Sequence, residues 1–130
     1  MNVIALAVGG FVGTILRYEI GQWIQPLSHV FPLATLVINL AGSFFLGWFF
    51  TIILLLWDVS SAIRLGVGTG FTGAFTTFST FSLESVHLVQ SYPVSAVLYI
   101  FISIAGGIAL SGAGYLMAGL QSKVCKRGAV

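Results

Sequence analysis

Gly70-Phe-Thr-Gly-Ala-Phe-Thr-Thr-Phe-Ser-Thr-Phe-Ser-Leu-Glu84 lies inside an apolar stretch long enough to cross a bilayer. The run opens with glycines, which weaken a helix. It then sets hydroxyls, phenylalanines and a carboxylate on what reads as the same helix. Lipid tolerates polar groups and non-helical backbone only where protein buries them or a polar cavity receives them. A broken helix at membrane depth therefore predicts a site.

The rest of the chain supports membrane depth. Of its 130 residues, 58% are hydrophobic and 6% charged, with a mean hydropathy of +1.06. Soluble domains carry about 25% charged residues, so the composition is that of a membrane protein. The acids are Glu19, Asp58 and Glu84; the bases are Arg17, Arg64, Lys123, Lys126 and Arg127. They sit mostly at helix ends and form no basic face for nucleic acid. Cys125 is the single cysteine, so no intrachain disulfide can form. His29 and His87 are isolated, and no Cys/His/acid cluster suggests a transition metal. No nucleophile–base pair suggests hydrolysis, and the chain does not read as an enzyme. Gly68-Thr-Gly70-Phe-Thr-Gly73 fits the dinucleotide pattern by accident, without a strand–helix–strand unit around it.

Four spans can be marked, at 3–20, 33–57, 63–89 and 94–120, in one transmembrane domain covering 1–130. The first lacks a positive lead and carries Arg17 near its end, so it reads as a retained span, not a signal peptide. Pro26, His29 and Pro32 mark a loop. Asp58-Val-Ser-Ser61 reads as a turn with helix-capping residues, and Pro93 suits the first turn of the last helix. With four spans, both termini share a side with the Asp58–Arg64 loop. That side holds Arg64, Lys123, Lys126 and Arg127 against Arg17 alone on the other, which favours cytoplasmic termini.

The third span is the odd one. Gly66, Gly68, Gly70 and Gly73 weaken its first half, and Thr76 and Thr77 follow. A break there exposes carbonyls suited to a cation and N–H groups suited to an anion. The competing reading is a packing surface, for which Gly9-xxx-Gly13 and Ser103-xxx-Gly107-xxx-Ser111 are the clearer examples. Such stripes suggest a homo-oligomer, most simply a dimer.

Several side chains are candidates for chemistry. Asn39 reads either as glue between helices or as a donor to a desolvated anion. Phe71, Phe75, Phe78 and Phe81 recur on a helical period, and their ring edges attract an anion without a full charge. Ser79, Thr80 and Ser82 alternate with these rings and offer hydroxyls, unless they bond back to their own helix. Glu84, within reach of Thr80, reads as a proton relay or a structural acceptor at an entrance. Tyr99, Ser103 and Gly107 share a face of the fourth span, with Tyr99 also open to an interfacial role.

The chain resembles the Fluc (CrcB-type) fluoride channels over all four spans. The resemblance rests on Gly9-Gly-Phe-Val-Gly-Thr-Ile-Leu-Arg-Tyr18, Ala34-Thr-Leu-Val-Ile-Asn-Leu-Ala-Gly-Ser-Phe44 and the opening stretch. It implies an all-α membrane protein of four transmembrane helices, the third broken near its middle, as an antiparallel dual-topology homodimer in the bacterial inner membrane. It implies passive, fluoride-selective export along the subunit interface among membrane lipids. Asn39, Phe78 and Phe81 would face the pathway, with Ser79, Thr80, Ser82 and Thr35 as nearby hydroxyls. Tyr99 and Ser103 would form a polar pole, which the family pattern continues with a hydroxyl where this chain has Gly107. Gly73 and Thr76 would give backbone carbonyls to a structural sodium ion (Na+) at the dimer interface, and Arg17 would sit at the dimer edge. The alternative reading is a small proton-coupled multidrug or cation exporter, with Glu19 and Glu84 as the candidate carboxylates.

Overall fold

The computed structural model describes residues 2–27, 30–56 and 58–127, so His29 and Trp57, the expected end of the second span, lie outside the described residues. Helix α1 covers Asn2–Ile24 and continues into a short 3₁₀ turn at Gln25–Leu27; α2 covers Leu33–Leu55. A short α3, Ser61–Ile63, leads into a π-helical segment, Arg64–Phe71, and then α4, Thr72–Phe75. After a gap come α5, Phe78–Ser91, and α6, Pro93–Arg127. No strand occurs among the described residues. The stretches Asn2–Leu27, Leu33–Leu55 and Pro93–Cys125 are each long and apolar enough to cross a membrane.

Local chemistry explains most boundaries. The first helix runs past the expected end at Ile20, because nothing between Arg17 and Ile24 breaks it. Ser60 caps α3, its hydroxyl accepting from the Ile63 N–H at 3.4 Å. Pro93 opens α6, where its missing N–H costs nothing. At about 1.5 Å per residue, the 35 residues of α6 extend roughly 52 Å.

Helices α2 and α6 run side by side in the same direction. Tyr99 packs with Leu36 near their N-terminal ends, and Ala118 packs with Ile52 and Ile53 near their C-terminal ends. Between these clusters the backbones meet closely. A Cβ on Gly47 would strike Ser111 backbone, and one on Gly114 would strike the Phe44 carbonyl. The expected small-residue stripe on α6 therefore packs, but against α2 of the same chain.

The glycines at 66–70 do not break the chain, as their helix-weakening effect suggests; they widen the helix. The Thr72 N–H bonds to carbonyls as far back as Val67, the five-residue reach of a π-helix. This glycine-rich surface faces α1. A Cβ on Gly9 would meet the Gly66 carbonyl, one on Gly13 the Phe71 carbonyl, and one on Gly70 the Leu6 carbonyl. Gly9-xxx-Gly13 is thus a packing surface, as its spacing suggests.

The interruption falls at Thr76 and Thr77. Thr76 has φ −79° and ψ 158°, and Thr77 has φ −144° and ψ 120°, both extended. The expected continuous face of Phe71, Phe75, Phe78 and Phe81 consequently divides in two. Phe71 stacks on Phe75 with centroids 5.7 Å apart, whereas Phe78 and Phe81 form a separate pair at 5.8 Å.

Asn2 and Ser61 lie together at one end of the bundle, their side-chain oxygens 3.5 Å apart. Trp48 donates to Gln121 at 2.8 Å, placing the end of α6 beside the second half of α2. The outer faces of α1 and α6 are apolar and exposed, including Ile4, Phe11, Phe101 and Ile108. Such a surface suits lipid or another apolar helix.

Gly9→Ala should lower the unfolding midpoint in detergent, because backbone must shift to admit the methyl group, at about 1–3 kcal/mol. Gly21→Ala, with no atom within 4 Å of the new Cβ, should leave the midpoint unchanged or raise it. Equal behaviour of the two variants would mean that the close approach at Gly9 does not hold α1.

Candidate functional site

Two extended residues between helices α4 and α5 leave peptide groups without helical partners. Asn39 supplies them. Its Nδ2 donates to the Thr77 carbonyl at 2.9 Å, and its Oδ1 accepts from the Thr77 N–H at 2.8 Å. One carboxamide thus pairs with both polar groups of one residue, and one Nδ2 hydrogen remains for another acceptor. Helix α2 holds Asn39 rigidly at the height of the break.

The threonines around the break tie up its ends. Thr76 directs both its N–H and its hydroxyl to the Thr72 carbonyl at 2.9 Å. Thr77 caps α5, accepting from the Thr80 N–H at 3.3 Å while its hydroxyl donates to Thr80 Oγ1 at 2.9 Å. These choices divert two helical amides. The Thr77 N–H, which would serve the Gly73 carbonyl in a continuous helix, goes to Asn39. The Thr80 N–H, which would serve the Thr76 carbonyl, goes to Thr77. Gly73 and Thr76, the carbonyls named from the sequence as cation donors, are among those left without helical donors at the end of α4. Gly73 is also exposed, with open space where a Cβ would stand.

A cavity of about 310 Å³ opens beside the break. Asn39, Thr76, Thr77, Phe78, Phe81 and Ser103 contribute to its lining, as does Ser43. Phe78 is 80% exposed, while Phe81 is held between Phe78 and Tyr99, its centroid 5.3 Å from the Tyr99 ring. The Ser103 hydroxyl is buried without a hydrogen-bond partner. Unpaired buried hydroxyls are uncommon and call for a ligand or water.

Glu84 stands at the other end of this aromatic group. Its Oε1 accepts from the Thr35 hydroxyl at 2.9 Å and its Oε2 from the Tyr99 hydroxyl at 2.7 Å. Tyr99 is fully buried, which replaces the interfacial position open to it in the sequence. Nor does Glu84 take Thr80 as its partner, since the Thr80 hydroxyl turns to Thr77. Arg17, Thr35, Thr80 and Glu84 instead line a second cavity of about 410 Å³.

The other hydroxyls take helix-internal partners. Ser82 donates to the Phe78 carbonyl at 2.9 Å, the back-bonding alternative for such residues. Ser79 is exposed, its hydroxyl 3.4 Å from that of Thr77. Sequence reasoning passed over Thr77 and Ser43. Thr77 acts through its peptide group, which no side-chain motif reveals. Ser43 lies four residues after Asn39, a spacing that places both on one helix face.

Residues 4–115 match the family described as CrcB-like protein, Camphor Resistance (CrcB). The chain belongs to the CrcB family. It is 46% identical over 116 residues to the fluoride-specific ion channel FluC 1 of Bacillus cereus (strain ZK / E33L), covering 88% of this chain and 85% of that protein. It is 44% identical over 122 residues to the FluC 1 channel of Moorella thermoacetica, covering 92% and 87%. The FluC channel of Chlorobium chlorochromatii is 40% identical over 107 residues, covering 82% and 83%. The break of this CrcB chain, with its asparagine partner, lies within the matched residues.

Asn39→Leu should remove both bonds to Thr77 and strand its peptide groups, costing about 2–4 kcal/mol. Denaturant unfolding in detergent measures this. A loss below about 1 kcal/mol, within the worth of one ordinary hydrogen bond, would show that the break stands without Asn39.

Proposed function

We propose that this chain forms a fluoride-selective channel that lets fluoride leave the cell passively, lowering its cytoplasmic concentration. The observation that carries this reading is the cavity beside the helix break. It joins a spare amide hydrogen on Asn39, a partnerless Ser103 hydroxyl and the rings of Phe78 and Phe81. Fluoride is small and strongly hydrated, so its pathway must replace water by hydrogen-bond donors. Hydroxyls and an amide do so without a fixed positive charge that would trap the ion. Ring edges add attraction on the same terms. The names of the relatives, all fluoride-specific channels, support the choice of ion.

The 61–91 stretch serves as the third of four spans, broken at Thr76–Thr77. Two chains inserted in opposite senses form the working homodimer, and each contributes one face to each of two fluoride pathways. The exposed Phe78 and the open backbone at Gly73 favour such a partner, which would cover both. Arg17 stands at the edge of this dimer. Ser79, Thr80, Ser82, Thr35, Tyr99 and Ser103 supply hydroxyls near the route, and Glu84 holds Thr35 and Tyr99 in place. The Gly73 and Thr76 carbonyls, freed from helical donors, suit a hard cation, and sodium is the ion proposed there. Such an ion would supply positive charge to the carbonyl dipoles that hold it.

In the bacterial inner membrane, the interior-negative potential drives the anion outward at about 2.3 kcal/mol per charge per 100 mV. This direction needs no ATP motif and no proton relay. Both oxygens of Glu84 already accept hydrogen bonds, which disfavours proton-coupled cation export.

Reconstituted liposomes should release fluoride rapidly without a proton gradient and retain chloride, as an ion-selective electrode would record. Phe78→Ile should slow that flux about tenfold or more if a ring edge replaces solvation worth over 1.4 kcal/mol. Absence of wild-type fluoride flux overturns the channel assignment; unchanged flux in Phe78→Ile moves the pathway away from this ring. Orientation is testable through Cys125, which is exposed. In right-side-out vesicles from expressing cells, a membrane-impermeant maleimide should label half of the protein before permeabilisation. Labelling of all or none would exclude dual insertion.

A further inference from the structure

Ser43 lines the same cavity and has no place in the route described so far. Its hydroxyl donates to the Asn39 carbonyl at 2.9 Å, one turn back on α2. That bond is dispensable. The Asn39 carbonyl also lies opposite the Ser43 N–H in the ordinary helical pattern, so releasing the hydroxyl strands no buried acceptor. Across the cavity, α6 presents the partnerless Ser103 hydroxyl. One turn further along the same face comes Gly107, which has no side chain to offer. A Cβ placed on Gly107 would stand 3.5 Å from Ser43 Oγ, an ordinary van der Waals contact. Ser43 therefore occupies, from the opposite helix, the space that a side chain at 107 would enter.

We propose that Ser43 is an anion-coordinating residue, the donor that follows Ser103 along the pathway and stands in for the missing side chain at Gly107. This inference rests on the fluoride-channel reading. With no anion present, the Ser43 proton rests on the Asn39 carbonyl. When the anion arrives, the hydroxyl turns about χ1 and donates to it, while Ser103 gains the acceptor it lacks. Ser43, beside Gly107, thus stands about one turn of α6 beyond Ser103. Because Ser43 follows Asn39 on α2, the handover runs along the helix that also clamps the break.

The test uses three proteins in the same fluoride-efflux assay: wild type, Ser43→Ala, and Ser43→Ala combined with Gly107→Ser. Loss of a hydrogen bond to a charged species predicts a flux about tenfold or more lower in Ser43→Ala. The double variant returns a hydroxyl to the same space from α6 and should recover flux to within about threefold of wild type. A merely structural Ser43, acting by packing or through Asn39, would not be rescued from the other helix. Normal flux in Ser43→Ala overturns the proposal while leaving the channel reading intact. So does a loss that Gly107→Ser fails to recover. Absence of flux in wild type removes the channel reading itself and this proposal with it.

Discussion

The pairing of one carboxamide with one peptide group governs this structure. A helix interrupted at membrane depth must find partners for its freed N–H and C=O groups, each costing several kcal/mol if left bare in lipid. Asn39 meets both needs of Thr77 at once. The other features of the site follow geometrically. Since Asn39 holds the Thr77 N–H, the Gly73 carbonyl loses its usual donor. Since Thr77 then caps α5, the Thr76 carbonyl loses its own. The break is thus an ordered two-residue extension that turns polar backbone outward in a defined place, and a loose loop would not do so.

Close packing delivers the two partners to that place. The π-helical segment lies so near α1 that glycines on both sides are required, and α2 meets α6 in the same way at Gly47 and Gly114. Gly42 applies the same constraint at the break itself, because a Cβ there would strike the Thr76 side chain. Membrane helices gain little from excluding lipid, so association relies on such intimate contact and on hydrogen bonds between helices. Glu84 adds the latter by joining α2, through Thr35, to α6, through Tyr99. The aromatic pair of Phe78 and Phe81 is set between these two fixed points.

Much of this was legible in the residues, at differing depth. Long apolar runs gave the helices, Ser60 and Pro93 their starts, and the residues after Gly70 the neighbourhood of the break. Periodicity misled at the phenylalanines, because a spacing of three and four assumes a helix that continues, and this one stops between Phe75 and Phe78. The glycines misled in another way. Low helix propensity does not distinguish a broken helix from one widened into π geometry against a neighbour. Partner identity was the least accessible. Thr80 is Glu84's neighbour by spacing, yet its hydroxyl is taken by an N-terminal cap, and Glu84 turns to Thr35 and Tyr99 far away in sequence. Local rules cannot rank such competitors, because the winner depends on which helices pack together.

The same bonds explain why the cavity reads as half of something. Inside the chain the Thr77 peptide group and the threonine hydroxyls of the break are committed to Asn39, Thr72 and Thr80. What stays available includes the exposed ring of Phe78, the backbone at Gly73 and, in the cavity, the unshared hydrogen of Asn39. An isolated chain would leave these against lipid, where a polar group without a partner is costly and an exposed ring gains nothing special. A second copy related by a two-fold axis in the membrane plane would bring the same groups to face one another. In the proposed dimer, the Gly73 and Thr76 carbonyls would be the groups to hold a cation, and each Phe78 ring would help close a pathway lined by the other chain's hydroxyls. In that proposed dimer, one structural solution repeated by symmetry would serve both the cation and the anion.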